Sequence, residues 1–118
     1  MMRRLLAVAG LLLTPSWAVA HAFPDHCDPR VGHTVDAVPA EVRIWFDGEI
    51  EPVFSTIRVE AAGGQRVDKG DGHVDAKDQT LLATSLQPGL AAGKYRVFWS
   101  VIARDGHRTE GDYPFRVK

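Results

Sequence analysis

The sequence contains very little sulfur: its only cysteine is Cys27, and its only methionines are Met1 and Met2. A single cysteine cannot form a disulfide within the chain, so a folded domain must depend on its apolar core. Without a methionine after residue 2, the rest of the chain offers no thioether ligand to a soft metal ion. The lone thiol is therefore buried and inert, a metal ligand, or a site of pairing between molecules.

Long apolar runs are also missing. The run from Leu5 to Leu13 is shorter than the about 20 residues that span a bilayer. It follows two arginines and precedes the small residues Ala18-Val19-Ala20, a pattern typical of a secretory signal peptide that is cleaved after Ala20. We therefore predict a signal peptide over residues 1–20 and one exported domain over residues 21–118.

Basic clusters are absent, and the predicted mature chain is slightly acidic. Its 98 residues include 12 lysines and arginines and 15 aspartates and glutamates, which gives a formal charge of −3. This balance argues against a nucleic-acid partner. A chain of this length forms one small domain with a modest core.

Cleavage after Ala20 makes His21 the first residue, with a free α-amino group beside its imidazole. These two nitrogens can chelate one metal ion, and a terminal amine, with an ordinary pKa of about 8, loses its proton more easily than a lysine. A chain can also begin with histidine by chance. The N-terminus alone therefore does not establish a metal site.

Alternating apolar and polar residues predict β-strands, and no helical periodicity follows residue 20. Short turns rich in glycine and proline separate these runs. The pattern indicates an all-β domain, a small Greek-key β-barrel or sandwich of immunoglobulin-like or cupredoxin-like type. The alternating apolar positions are Val42, Ile44, Phe46; Ile57, Val59, Ala61; Tyr95, Val97, Trp99, Val101; and Tyr113, Phe115, Val117.

Residues 63–79 form the most polar stretch, with four aspartates and His73. Their spacing does not match a calcium-binding loop. We expect a solvated loop between strands, with His73 exposed.

A second candidate donor group is Asp105-Gly106-His107, which follows the longest predicted strand. In an extended backbone, residues two apart point to the same face, so Asp105 and His107 would project together. With His21 they supply nitrogen and oxygen donors that suit Cu(II). Alternatively, Asp-Gly forms an ordinary turn and His107 is a surface residue; the N-terminal histidine favours the metal site.

Several further segments match the pattern of a known family. They are His21-Ala22, Pro29, Gly32, Pro39 to Phe46, Glu51-Pro52, Phe54-Ser55, Gly93 to His107 and Tyr113 to Lys118. In these segments the chain resembles the CopC-type periplasmic copper-binding proteins. The resemblance extends over nearly all of residues 21–118, and GKYRVFWSVIARDGH is its most specific part.

The resemblance implies a periplasmic β-sandwich or barrel that binds Cu(II) through positions corresponding to His21, Asp105 and His107. The sequence departs from family patterns at three places. It lacks a methionine-rich Cu(I) loop, it has Phe23 where many members carry a second histidine, and it has Gly48 where some carry a glutamate.

His26, Cys27 and His33 are a further departure from the family pattern. A thiolate with imidazoles can hold Cu(I) or Zn(II), which makes these residues a candidate auxiliary site. Strand alternation places His26 and Cys27 on opposite faces, and this counts against all three acting together.

Three functions are compatible with these residues. The leading hypothesis is a monomeric carrier, not an enzyme, that sequesters or delivers Cu(II) for copper resistance or homeostasis. Its partners would be the copper ion and a membrane copper transporter or another periplasmic copper protein. The alternatives are a small copper oxidoreductase with a histidine-brace-like site, as in polysaccharide monooxygenases, and an immunoglobulin-like structural module.

Overall fold

Eight β-strands make up the regular structure of residues 21–118, the part of the chain that the computed structural model describes. The predicted signal peptide lies outside the described residues. The strands are β1 (Pro24–Asp28), β2 (Thr34–Val35), β3 (Glu41–Phe46), β4 (Thr56–Ala61), β5 (His73–Val74), β6 (Leu81–Ser85), β7 (Gly93–Ile102) and β8 (Arg108–Val117).

The strands form two four-stranded sheets, in the orders β1-β3-β6-β5 and β2-β8-β7-β4. All neighbouring strands are antiparallel except β2 and β8, which are parallel. The prediction of an all-β domain is confirmed, and the sheets form a sandwich. No helix among residues 21–118 is long and apolar enough to cross a bilayer.

The apolar positions of the predicted alternation face the space between the sheets. In β3, for example, Val42, Ile44 and Phe46 are buried and the residues between them are partly exposed. The inward side chains of β4, β7 and β8 join the same core cluster. Burial of this apolar surface is the main stabilising contribution in a domain without a disulfide.

The polar segment over residues 63–79 is more ordered than predicted. The Asp68 side chain is fully buried and accepts hydrogen bonds from the Val59 backbone (3.0 Å), from Arg66 and from the Gly70 backbone. His73 is exposed, as expected, but it begins β5, which pairs with β6. Because a buried carboxylate needs such partners, Asp68 fixes this segment against β4.

Asp71 forms a second connection between this segment and the sheet. Its Oδ1 atom accepts hydrogen bonds from the Ser85 backbone N–H (2.8 Å) and the Thr84 hydroxyl (3.1 Å) of β6. Hydrogen bonds from Ser85 and Thr84 lower the pKa of Asp71 to about 2. The expected solvated loop is therefore wrong for Asp68, which is buried; Asp71 is exposed, as expected, but its carboxylate is hydrogen-bonded to β6.

Candidate metal centre

The turn between β7 and β8 carries Asp105, Gly106 and His107 at one end of the sandwich. Gly106 has a φ of +86°, which favours glycine, and its N–H donates to the Ala103 carbonyl (2.9 Å). The Ala103 N–H in turn donates to the His107 carbonyl (3.0 Å). Asp105 and His107 are therefore brought together by a tight turn, not by the extended strand that the alternation predicted.

The Asp105 carboxylate orients His107 with both oxygen atoms. Oδ1 accepts a hydrogen bond from the His107 backbone N–H, and Oδ2 lies 3.0 Å from the ring Nδ1. The hydrogen bond from the His107 side chain and the one from its backbone hold the pKa of Asp105 below its ordinary value. Because Nδ1 is engaged with the carboxylate, Nε2 of His107 is the ring nitrogen left to bind a metal.

His21 lies directly beside this pair. Its ring centroid is 5.2 Å from that of His107, and donor atoms of His21, Asp105 and His107 all lie within 4.8 Å of one another. The structure thus brings together the three residues that the sequence selected. Two imidazoles and one carboxylate form a nitrogen and oxygen donor set that suits Cu(II).

One potential metal-binding atom of this group lacks a hydrogen bond within residues 21–118. Nδ1 of His21 is buried, yet it has no hydrogen-bond partner among the described residues. Buried polar atoms in folded proteins are normally paired, so an unpaired nitrogen on one of three clustered potential ligands fits a bound cation. Nδ1 is also the ring nitrogen nearer the main chain, as a chelate with the α-amine requires.

Two further residues at the site were not found from the sequence. The Thr109 hydroxyl donates a hydrogen bond to the Ala22 carbonyl (2.6 Å), and Asp47 exchanges two hydrogen bonds with the backbone of Phe23. The Thr109–Ala22 contact joins residues 87 positions apart. No local pattern predicts a hydrogen bond over that separation.

The candidate auxiliary residues are not brought together. His26 stacks on the Trp45 ring with a centroid distance of 4.5 Å, on the outer face of the first sheet, and hydrogen-bonds to Asp25. The carbonyl of His33 accepts from the Arg116 backbone, beside β8 of the other sheet. Among residues 21–118, the group that could hold a metal is the one formed by His21, Asp105 and His107.

Cys27 faces the opposite way from His26, as strand alternation predicts. It is half-buried, packs against the core and pairs with Ile44 across the sheet. Burial raises the pKa of the neighbouring Tyr113 hydroxyl, and the adjacent Cys27 adds to that shift. The thiol is therefore part of the core packing.

A groove of about 730 Å³ lies elsewhere, on the outer face of β4, β7 and β8. The Arg58 guanidinium covers the Phe98 ring there, 4.2 Å from its centroid. None of the three candidate ligands lines this groove. The candidate metal centre is instead a shallow surface site, where the His107 side chain is 60% exposed.

Comparison with known families and proteins gives a consistent result. The family model described as the CopC domain matches residues 25–118. Protein YobA of Escherichia coli strain K12 is 33% identical over 108 residues, which cover 91% of this chain and 86% of that protein. Copper transport protein CutJ of Bacillus subtilis is 28% identical over 107 residues, but the match covers only 20% of its length.

Solved structures share the fold. The crystal structure of CopC from Methylosinus trichosporium OB3b is 34% identical, with a TM-score of 0.73, and the match covers 83% of this chain and 94% of that one. PcoC from Escherichia coli, described as a methionine-rich copper resistance protein, is 26% identical with the same TM-score. That match covers 84% of this chain and all of PcoC.

Proposed function

This chain belongs to the CopC family, and from that premise we propose that it is a periplasmic protein that binds Cu(II) and sequesters or carries it for copper resistance or homeostasis. The observation that carries the proposal is the convergence of His21, Asp105 and His107, whose donor atoms lie within 4.8 Å of one another. Copper is the cargo of this site.

Each ligand has a separate role in the proposed site. After cleavage at Ala20, the free α-amine and Nδ1 of His21 form a chelate, and Nε2 of His107 supplies a third nitrogen. An Asp105 oxygen completes the set while the carboxylate still holds the His107 ring in place. The set contains no sulfur, so it favours Cu(II) over Cu(I).

Periplasmic location and domain organisation are part of the proposal. The signal-like pattern over residues 1–20 supports export, and the CopC domain match begins at residue 25. The domain proper therefore extends over residues 21–118. A chelate that includes the α-amine forms only if cleavage exposes His21 as the first residue.

The proposed partners are the copper ion and one protein that supplies or receives it, a membrane copper transporter or another periplasmic copper protein. The Bacillus subtilis relative is named a copper transport protein, which supports a copper transporter as that partner. Its matching domain is one fifth of a longer chain. We propose that the domain is a monomer, with no nucleic-acid partner because its mature charge is −3.

We propose binding in preference to catalysis. A copper oxidoreductase needs an open coordination position for its oxidant, whereas Asp105 lies within reach of the same ion as both histidines. An anionic ligand also stabilises Cu(II) relative to Cu(I), which opposes redox cycling. The alternative of a small oxidoreductase would gain support if the copper-loaded protein were reduced and reoxidised through many turnovers without losing its metal.

The experiment compares chains that differ only at the N-terminus. One begins with an unmodified His21, and the other is acetylated at the α-amino group of His21, which converts the amine into an amide and leaves no terminal amine to bind copper. Cu(II) affinity is measured by competition with a chelator of known strength, and folding by circular dichroism. A chain amidated at the carboxyl group of Lys118 is the matched control.

The proposal predicts that acetylation of His21 weakens Cu(II) binding by orders of magnitude, while the fold is retained and the control binds as tightly as the unmodified chain. Equal affinity of the acetylated and unmodified chains would show that the amine is not a ligand. Failure of the processed chain to bind Cu(II) would overturn the proposed function.

A further inference from the structure

Hydrogen bonds hold the first residues of the domain without using the donor atoms of His21. The Thr109 hydroxyl donates to the Ala22 carbonyl (2.6 Å). The Phe23 N–H donates to Oδ1 of Asp47 (2.8 Å), and the Asp47 N–H donates to the Phe23 carbonyl (2.8 Å). These three hydrogen bonds are named here the N-terminal clamp, and none of them involves His21.

Burial reinforces the N-terminal clamp. Ala22 is only 1% exposed and belongs to the same core cluster as the inward side chains of the sheets. Consecutive Cα atoms lie about 3.8 Å apart, so His21 is only one residue beyond a fixed point. The clamped residues 22 and 23 leave His21 little freedom to move away from His107.

Strand β8 connects the clamp to the second imidazole. His107 directly precedes β8, and Thr109 is the second residue of that strand, paired with Val101 of β7. The start of β8 therefore positions His107 and also carries the Thr109 hydroxyl, which holds the segment that contains His21. Only Arg108 lies between His107 and the residue that holds the Ala22 carbonyl.

We infer that Thr109 and Asp47 are positioning residues, which hold the N-terminus so that the His21 nitrogens meet His107 before copper arrives. This inference rests on the proposed function. The clamp forms when the domain folds, so the N-terminal segment is already ordered before copper binds. The entropic cost of ordering it therefore does not reduce the free energy of copper binding. Removing one clamp hydrogen bond should then weaken copper binding even though no ligand changes.

The first test replaces Thr109 in chains that begin with His21. Thr109→Val keeps the shape of the side chain but removes the donor, and Thr109→Ser restores the hydroxyl. We expect Thr109→Val to weaken Cu(II) binding about five-fold, the effect of losing one hydrogen bond of ordinary strength. Thr109→Ser should recover most of that affinity.

Thr34→Val is the matched control, because Thr34 pairs with Arg116, about 23 Å further along β8 at the rise of an extended strand. Electron paramagnetic resonance supplies a readout that a purely structural role would not change. Thr109→Val should show a second Cu(II) component from molecules whose N-terminus has left the clamp. Wild type, Thr109→Ser and Thr34→Val should each show one component.

The second test separates the hydrogen bond of Asp47 from its charge. Asp47→Asn keeps an oxygen that accepts from the Phe23 N–H, whereas Asp47→Ala removes it. We expect Asp47→Ala to weaken Cu(II) binding about five-fold and Asp47→Asn to leave it nearly unchanged. An equal loss in both variants would assign the effect to charge and would overturn the role of Asp47 in the clamp.

The outcomes distinguish the inference from the proposed function. If wild type binds Cu(II) and Thr109→Val matches it in affinity and spectrum, the clamp inference is wrong and the proposed function stands. A loss in Thr109→Val that Thr109→Ser does not restore also overturns the inference. If wild type beginning with His21 fails to bind Cu(II), both are overturned.

Discussion

Replacement of Asp105 by alanine tests whether the carboxylate serves the metal centre. The change removes one oxygen donor and both hydrogen bonds to His107, each 3.0 Å long. Loss of a partner that orients a metal-binding histidine typically costs 10- to 100-fold in affinity. We therefore expect Asp105→Ala to bind Cu(II) about 10- to 100-fold more weakly.

Asp25→Ala is the matched control for that measurement. Asp25 makes the same kind of contact, with its Oδ2 atom 2.9 Å from Nδ1 of His26, but this pair lies outside the metal centre. Chelator competition at neutral pH measures both affinities, and circular dichroism verifies that both variants are folded. Wild-type affinity in Asp105→Ala, or an equal loss in Asp25→Ala, would show that the Asp105 carboxylate has no specific role in the metal centre.

Three further predictions concern stability and the thiol. Gly111→Ala should lower the free energy of unfolding by about 1 to 3 kcal/mol, because the new Cβ would lie 2.5 Å from Cζ2 of Trp99. Gly63→Ala is the control: its new Cβ would meet no atom within 4 Å, so its free energy of unfolding should equal that of wild type. Urea unfolding measures both. Asp71→Ala should be less stable than wild type at neutral pH, and that difference should shrink as pH falls from about 4 through about 2, because the folded pKa is depressed and its stabilisation is lost on protonation. Unfolding midpoints across that pH range check it, and a constant difference would contradict it. Cys27→Ser should leave Cu(II) affinity unchanged in chelator competition, since the thiol packs in the core; a marked loss would place it in the metal centre.

The long strands could be predicted from the sequence because their signal is local. Alternation of apolar and polar residues located β3, β4, β7 and β8, and their inward side chains form the core. The two-residue strands β2 and β5 are too short to show a pattern. They exist because neighbouring strands supply hydrogen-bond partners, which is a tertiary effect.

The structure brings the three candidate ligands together, as predicted, but the predicted local geometry was wrong. Asp105 and His107 were expected on an extended strand, whereas Gly106 adopts a positive φ and the chain turns. Asp-Gly is compatible with both geometries, so the sequence alone could not decide between them. The two side chains meet because Asp105 hydrogen-bonds to both the backbone and the ring of His107.

Contacts between distant parts of the chain could not be predicted. The hydrogen bond from Thr109 to Ala22 depends on how β8 meets the N-terminus, and no periodicity encodes it. The auxiliary group of His26, Cys27 and His33 failed as a cluster for a related reason. Proximity in sequence suggested a site, but His26 and Cys27 lie on β1 of one sheet and His33 lies beside β8 of the other.

The most direct test of Cu(II) binding at His21, Asp105 and His107 is electron paramagnetic resonance of the processed protein, beginning with His21, during titration with Cu(II). The proposed site should give one tetragonal signal that saturates at one equivalent. Its nitrogen coupling should indicate three nitrogen donors, from the α-amine and two imidazoles, and its g and copper hyperfine values should indicate a mixed set completed by an oxygen donor. Loss of one imidazole contribution in His107→Ala would assign that donor. A signal with oxygen donors only, or one that His107→Ala leaves unchanged, would contradict the proposed copper site.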